Sequence, residues 1–206
     1  MSTITVDSNN AKYDSRNNCN AIIETDTNKL VAICNTATIP NSITAIGNRA
    51  FSGCSRFDIS ALSALNLTLI GDRAFADCGC IGTFTVPLGV TLSNNAFGYI
   101  KDSAGSKATI ILSEGYSATI YGMFAYSRLQ KVELPSTITT IAENTFYVAS
   151  INEVVIKAST PPTLRQNAFT ASSITNIYVP AASVDTYKTT SGWSSFASRI
   201  QAIPTT

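Results

Sequence analysis

The sequence predicts a repeat solenoid, a right-handed coil with a parallel β-sheet along one face, and three observations support this. A short phrase recurs along the chain, strand-forming triplets recur in phase with it, and prolines end several of those triplets. A unit this short cannot bury an apolar face alone, but stacked units build a continuous core. We therefore expect one coil per repeat.

The recurring phrase ends in a phenylalanine. Residues 46–51 read IGNRAF and residues 70–75 read IGDRAF, and degenerate copies end at Phe97, Phe124, Phe146 and Phe169. Successive phenylalanines are 24, 22, 27, 22 and 23 residues apart, and the long interval contains a loop-like insertion at 101–107. Recurrence at the coil period predicts a buried ladder of rings rather than a binding stripe.

The strand triplets lie at 84–86, 110–112, 132–134, 154–156 and 177–179, and Pro87, Pro135 and Pro180 directly follow three of them. Proline lacks the N–H that a strand needs, so it ends the strand. Because side chains alternate along a strand, the inward set is predicted to be Val132, Leu134, Val154, Ile156, Ile177 and Val179. The outward set, our candidate partner-binding face, is Thr83, Thr85, Lys131, Glu133, Glu153, Val155, Asn176 and Tyr178.

The two ends depart from the repeat, which predicts caps at 1–38 and 181–206 around repeats at 39–180, all in one continuous domain. Residues 20–25 and 28–33 are expected to form a hairpin, with a possible further strand at 4–6. Residues 181–188 look helical after Pro180. The side chains expected to cover the last coil are Val184, Tyr187, Trp193, Phe196 and Ile200.

Composition and charge exclude several classes of protein. The net charge is +1 and only 13% of residues are charged, so a nucleic-acid-binding basic patch is not expected. No apolar run approaches the roughly 20 residues of a membrane span. The first residues show neither the basic region nor the apolar run of a signal peptide, so no export signal is expected in them.

The cysteines raise the question of a metal site. Cys78 and Cys80 are separated by one residue, closer than zinc-binding pairs, and the chain contains no histidine. Cys54 and Cys78 each follow a repeat phenylalanine by three residues, which indicates a core position, so neither metal nor cofactor is expected. A hairpin centred between residues 26 and 27 would place Cys19 opposite Cys34, which leaves a disulfide open.

Catalytic chemistry has little support in the sequence. Serines are abundant but no base accompanies them. Glu133 and Glu153 fall on neighbouring predicted strands and could mimic a carboxylate pair, but they are better explained as solvated partners of Lys131 and Lys157. The chain is therefore expected not to be an enzyme. Tyr121, Tyr126 and Tyr178 lie off the buried phase, and they are either contact residues or scattered surface tyrosines.

Residues 39–54, IPNSITAIGNRAFSGC, resemble the BspA-like leucine-rich repeats of bacterial surface proteins, and Ile70, Gly71, Ala74, Phe75 and Cys78 match the same pattern again. The resemblance implies a leucine-rich-repeat coil and a role in adhesion or protein binding, with a host or bacterial surface protein as partner. It also implies a cell-surface or secreted location. A cytoplasmic or phage-associated location stays open as the alternative. The alternative function is structural, a rigid spacer or decoration of a virion or envelope. The sequence does not indicate an oligomeric state.

Overall fold

In the computed structural model, which describes residues 3–205, the chain winds through successive coils built almost entirely from short strands and turns. The strands are β1 Tyr13–Asp14, β2 Ala21–Glu24, β3 Lys29–Ile33, β4 Ala45–Ile46, β5 Phe57–Asp58, β6 Leu69–Ile70, β7 Cys80–Ile81, β8 Thr83–Val86, β9 Thr91–Leu92, β10 Thr109–Leu112, β11 Arg128–Leu134, β12 Thr140–Ile141, β13 Ser150–Ile156, β14 Thr163–Leu164, β15 Ser173–Val179 and β16 Ile200–Ala202. The one α-helix of the described chain is α1, Val184–Thr189. Short segments of 3₁₀-helix, of three or six residues, occur at Arg16–Asn18, Ile59–Ala64, Ala181–Ser183 and Ser194–Arg199.

The long strands form one parallel sheet in the order β16-β15-β13-β11-β10-β8. Val132 lies opposite Val154, and Val154 lies opposite Ile177, so equivalent residues of successive coils are in register. All six residues predicted to point inward are fully buried. The prediction of a parallel sheet with an apolar inner face is therefore confirmed.

A second parallel ladder lies at the apolar residue with which each copy of the phrase begins. The sequence does not predict this ladder. Here β3, β4, β6 and β9 pair in parallel, with Leu30, Ile46, Ile70 and Leu92 in register. Strands β12 and β14 continue the pattern as a separate pair. These strands are only two residues long in each repeat, which is too short for an alternating pattern to reveal them.

The phenylalanine ladder is confirmed. Adjacent ring centroids from Phe51 to Phe169 lie 4.9, 5.6, 6.0, 5.5 and 4.8 Å apart, and all five pairs are stacked. Phe169, the last, is 7% exposed and the others are fully buried. Offset-stacked rings at this separation contribute about 0.5–1.5 kcal/mol per pair beyond their area burial.

Left-handed backbone recurs two residues before and two residues after each of these rings. The positions are Arg49, Arg73, Asn95, Gly122, Asn144 and Asn167 before the ring, and Gly53, Asp77, Tyr99, Tyr126, Val148 and Ala171 after it. Around every ring except Phe169, the last, these turns let backbone N–H groups donate to carbonyls of the next coil. Phe97 N–H donates to the Met123 carbonyl, and Tyr99 N–H donates to the Ala125 carbonyl. The repeat thus satisfies its backbone hydrogen bonds here without forming a strand.

The fourth copy of the phrase, residues 120–124, is one residue shorter than the first two, and Gly122 occupies its left-handed position. Its φ is +62°, and a Cβ atom there would lie 2.2 Å from the Asn95 side-chain oxygen. Any larger residue here would require the Asn95 side chain to move. The shortened copy keeps Phe124 in the ladder, stacked between Phe97 and Phe146.

The N-terminal segment ends the stack by reversing direction. Strand β3 pairs in parallel with β4, whereas β2 pairs antiparallel with β3 and β1 antiparallel with β2. The expected strand at residues 4–6 is wrong, because these residues are not in a strand. The Val6 N–H donates instead to the Ser15 hydroxyl, so the neighbouring backbone is held by a side chain rather than by a ladder.

The C-terminal segment adds one more strand to the sheet and then covers the end of the last coil. Strand β16 adds to β15 in parallel, and α1 carries Tyr187 into the interior. Trp193 and Ile200 are also buried, while Val184 and Phe196 pack against the core and stay partly exposed. The prediction of a short helix at this end is confirmed.

Candidate functional site

The outward residues of the main sheet form two rows across the coils. The first row is Thr83, Thr109, Lys131, Glu153 and Asn176, and the second is Thr85, Ile111, Glu133, Val155 and Tyr178. All eight residues of the candidate face therefore lie on one side of one sheet. We call this surface the sheet face. Its two rows carry hydroxyl, charged, amide, aliphatic and aromatic side chains.

Ion pairs already satisfy the charges at the centre of the sheet face. The Glu133 carboxylate lies 2.7 Å from Lys131 Nζ and 2.5 Å from Lys157 Nζ. Partial burial tends to raise the Glu133 pKa, but the hydrogen bonds from the two lysines outweigh it, and the net shift is downward. Glu133 is therefore ionised at neutral pH and bound to two cations, which is poor preparation for acid–base catalysis.

Two details of the sheet face differ from the simplest expectation. Val155 points to this side but is only 6% exposed, because it lies between the larger side chains of Glu133 and Tyr178 in its row. Glu153 lies opposite Lys131 rather than Glu133. The two glutamates are thus offset, and the arrangement is that of ion pairs rather than of a carboxylate pair.

Four tyrosines gather on a second surface beside the phenylalanine turns. The Tyr99 and Tyr126 rings stack with centroids 4.8 Å apart, and Tyr147 meets Tyr126 edge to face at 5.5 Å. Partial desolvation, and then the nearby hydroxyls of Tyr147, Tyr99 and Tyr121, raise the Tyr126 pKa. The Tyr126 hydroxyl therefore lies near those of the other three tyrosines.

These tyrosines line a cavity of 360 Å³, which we call the tyrosine cleft. Its lining residues are Arg73, Asn95, Tyr99, Tyr121, Ala125, Tyr126, Asn144, Tyr147 and Asn167. The Arg73 guanidinium lies over the Tyr99 ring, 5.1 Å from its centroid. Its buried Nε has no hydrogen-bond partner within the described residues, and Arg73 forms no ion pair there.

Sequence reasoning identified part of this cleft. Tyr121 and Tyr126 were contact candidates, and the structure brings them together, whereas Tyr178 lies apart on the sheet face. Arg73, Tyr99 and Tyr147 were not predicted. For two of them the available signal was an offset of two residues from the ladder, since Arg73 precedes Phe75 by two residues and Tyr99 follows Phe97 by two. Tyr147 follows Phe146 by one residue and carried no such signal.

Cys54 and Cys78 are buried in the core, as expected from their position after the repeat phenylalanines, and Cys80 is buried beside Cys78. The Sγ atoms of Cys80 and Cys78 are 3.3 Å apart. The hydrogen bond to Cys78 and then burial raise the Cys54 pKa far above its usual range. A thiol held protonated in this way is a poor nucleophile and a poor metal ligand. Within residues 3–205, no cluster of three or more metal-binding side chains occurs.

The hairpin contains a bulge that displaces Cys34 from Cys19. The register of β2 against β3 shifts by one residue between Ile22 and Ile23. The Cys34 N–H consequently donates to the Asn20 carbonyl, and no disulfide joins Cys19 to Cys34. The centred hairpin that suggested this bridge holds only near the turn.

The insertion at 101–107 is anchored rather than loose. Ser103 and Ser106 close a tight turn through two backbone hydrogen bonds, and the Ser103 hydroxyl donates to the Ser55 carbonyl. Lys107 Nζ donates to the Asn152 side chain at the edge of the sheet face. Lys101 pairs with Asp77 at 2.8 Å. The insertion thus lies between the sheet face and the tyrosine cleft.

Comparison with known proteins gives one result. The family model described as BspA type leucine rich repeat region, with six copies, matches residues 22–103 and 100–195. No curated protein matches the chain significantly. Among the described residues, no helix has the length and apolar character needed to cross a bilayer.

Proposed function

Because the chain belongs to the BspA-type leucine-rich repeat family, we propose that it is a protein-binding and adhesion module whose sheet face contacts a protein partner. Repeats of this family support a protein-interaction role in general. The assignment to the sheet face rests on one observation, the in-register rows that place eight varied side chains on one side of a continuous parallel sheet. We also infer that the coil is right-handed, as parallel crossovers almost always are.

The charges on this face favour recognition by shape rather than by long-range attraction. Lys131 and Lys157 pair with Glu133, and Glu153 lies beside Lys131, so the local charges cancel. A surface without excess charge does not steer a partner over distance. Partner binding at this face is therefore weakly dependent on salt, and Tyr178 is its main aromatic contact.

The partner is a protein displayed on a cell surface, and the chain acts where such proteins are accessible. The backbone of every coil is held by its neighbours, so the face is already formed before the partner arrives. A preformed surface loses little conformational entropy on binding. These properties suit adhesion, in which many modest contacts act together.

The experiment replaces Lys131, Glu153 and Tyr178 with alanine together and measures affinity for a partner purified on the immobilised chain. The expected result is at least a tenfold loss of affinity with an unchanged melting temperature, because the three side chains are on the solvent side of the sheet. The matched control replaces Asp102 and Lys107 in the insertion. If binding survives the triple change but is lost in the control, the partner binds the insertion and the assignment to the sheet face is refuted.

A further inference from the structure

The tyrosine cleft has the composition of a binding site for a small polar ligand. Eight of its nine lining residues, all but Ala125, carry side-chain hydrogen-bonding groups. Its 360 Å³ lies within the roughly 300–1,000 Å³ typical of small-ligand sites. An apolar occupant would leave tyrosine hydroxyls and asparagine amides without partners, which costs free energy. The lining therefore favours a ligand rich in hydroxyl groups.

Arg73 favours a ligand that carries a negative charge. Guanidinium groups only donate hydrogen bonds, and the Nε of Arg73 is buried with no acceptor within the described residues. The nearby Asp72 carboxylate accepts from the Asn95 amide, and Asp77 pairs with Lys101. The Nε atom itself is too buried for an incoming ligand, but the two terminal nitrogens of Arg73 have no hydrogen bond or ion pair within the described residues. They are left for an acceptor that comes from outside, and a carboxylate matches their planar geometry best.

We propose that the tyrosine cleft binds an acidic saccharide, a sugar whose carboxylate pairs with Arg73 while its hydroxyls bond to the asparagines and tyrosines. The exposed Tyr121 ring, 45% accessible, supplies an aromatic surface for the sugar ring. This site is on a different surface from the sheet face and takes a different class of ligand. It gives the chain a way to bind a charged glycan independently of a protein partner.

The first experiment uses the unmodified protein. Isothermal titration calorimetry compares digalacturonic acid with its methyl ester, which keeps every hydroxyl and loses only the charges. We expect the acid to bind about tenfold or more tightly than the ester, since charge-assisted bidentate pairs are the stronger class of hydrogen bond. No binding of the acid, or equal binding of acid and ester, overturns the proposal.

The second experiment uses a matched pair of variants. Arg49 occupies the same position relative to Phe51 that Arg73 occupies relative to Phe75, has the same left-handed backbone, and does not line the cleft. Arg73→Gln should weaken binding of the acid about tenfold, whereas Arg49→Gln should leave it unchanged. Equal losses in the two variants contradict the assignment. Because the acid–ester comparison needs no variant, the proposal stays testable even if Arg73→Gln folds poorly.

A third measurement separates a saccharide from a peptide. Tyr121→Ala should weaken binding of the acid without changing the melting temperature, since this ring is exposed. A tetrapeptide with one aspartate is titrated in parallel, and tighter binding of the peptide than of digalacturonic acid overturns the proposal in favour of a protein ligand. The sheet-face triple variant should bind the acid normally. The experiments therefore test saccharide binding at the tyrosine cleft separately from protein binding at the sheet face.

Discussion

At the N-terminal end the coil stops because the chain doubles back, whereas at the C-terminal end it stops because aromatic side chains fill the place of the next coil. Strand β3 keeps the parallel pairing and β2 then reverses it, with Arg16 hydrogen-bonded to Asp14 on the strand beyond. At the other end β16 keeps the parallel direction, and Tyr187 of α1 packs with Trp193 in the interior.

A stacked coil therefore has two separate requirements at each end. The first requirement is to cover the apolar face of the last coil, and the second is to pair or protect its row of free backbone N–H and C=O groups. If either is left uncovered, another molecule can associate with it. The N-terminal end meets the second requirement with antiparallel strands and polar contacts. The C-terminal end meets the first mainly with large rings. The two ends should therefore fail under different perturbations.

Trp193→Ala should have the largest effect. The indole is 1% exposed, donates to the Pro162 carbonyl, and meets Phe169 and Tyr187 edge to face at 5.6 and 5.1 Å. We expect a loss of about 3–5 kcal/mol in the free energy of unfolding, measured by urea denaturation. Hydrogen exchange should show loss of protection first in β15 and β16. Equal loss in β2 and β3 would contradict a separate C-terminal cap.

Tyr187→Phe keeps the ring and removes one hydrogen bond of the same cap. The hydroxyl donates to the Ala158 carbonyl at 2.9 Å in a fully buried site. The variant should lose about 1 kcal/mol, because a buried carbonyl is left without its donor. Urea unfolding gives the value. The matched control is Tyr121→Phe on the surface, which should leave stability unchanged, and a similar loss in both variants would refute the explanation.

Asp14→Asn tests the N-terminal end through pH. Hydrogen bonds from Arg16, and then from Thr25, hold the Asp14 pKa well below its usual range despite some burial. A carboxyl group with a lowered folded-state pKa contributes stability above its unfolded pKa of about 4, and this is lost as pH falls through the folded value. The variant should therefore be less stable than wild type at pH 7, by roughly 1 kcal/mol after allowing for solvent screening.

The difference between the two proteins should shrink below about pH 4 and vanish in strong acid, because protonated aspartic acid no longer differs in charge from asparagine. Melting temperatures recorded across pH 2–7 provide the comparison. Trp193→Ala serves as the control, since its deficit should persist across this range. A deficit of Asp14→Asn that does not change with pH would show that the ion pair is not its cause.

Val148→Gly should have the smallest effect and the opposite sign. Val148 has φ +55° and is 39% exposed, whereas the first coil has Gly53 at the same position. A β-branched residue is strained in left-handed backbone, and relief of this strain exceeds the entropy cost of glycine. We expect a gain of about 0.5–1 kcal/mol by urea denaturation. The matched change Val155→Gly, within a strand, should destabilise, and a loss in both variants would count against backbone strain at Val148.

Much of the fold could be predicted because each signal was repeated in every coil. The phenylalanine ladder and the inward residues of β11, β13 and β15 follow from one period and one alternation, and both are confirmed. The second ladder was not predicted, since two-residue strands such as β4 and β6 carry no alternation to detect. The possible strand at 4–6 does not form, and the sequence there does not specify a pairing partner.

The sequence by itself determined the period of the coil, its buried side chains and the side of the sheet on which Lys131, Glu153 and Tyr178 lie. Tertiary structure alone decided that Arg73, Tyr99, Tyr121 and Tyr147 line one cleft, since they come from different coils. It also decided that Val155 is covered and that Cys34 is displaced by a bulge. The physical reason is that a repeat pattern specifies contacts along the chain and with the core. Lateral contacts between surface side chains depend on coil spacing and on left-handed turns, which periodicity does not specify.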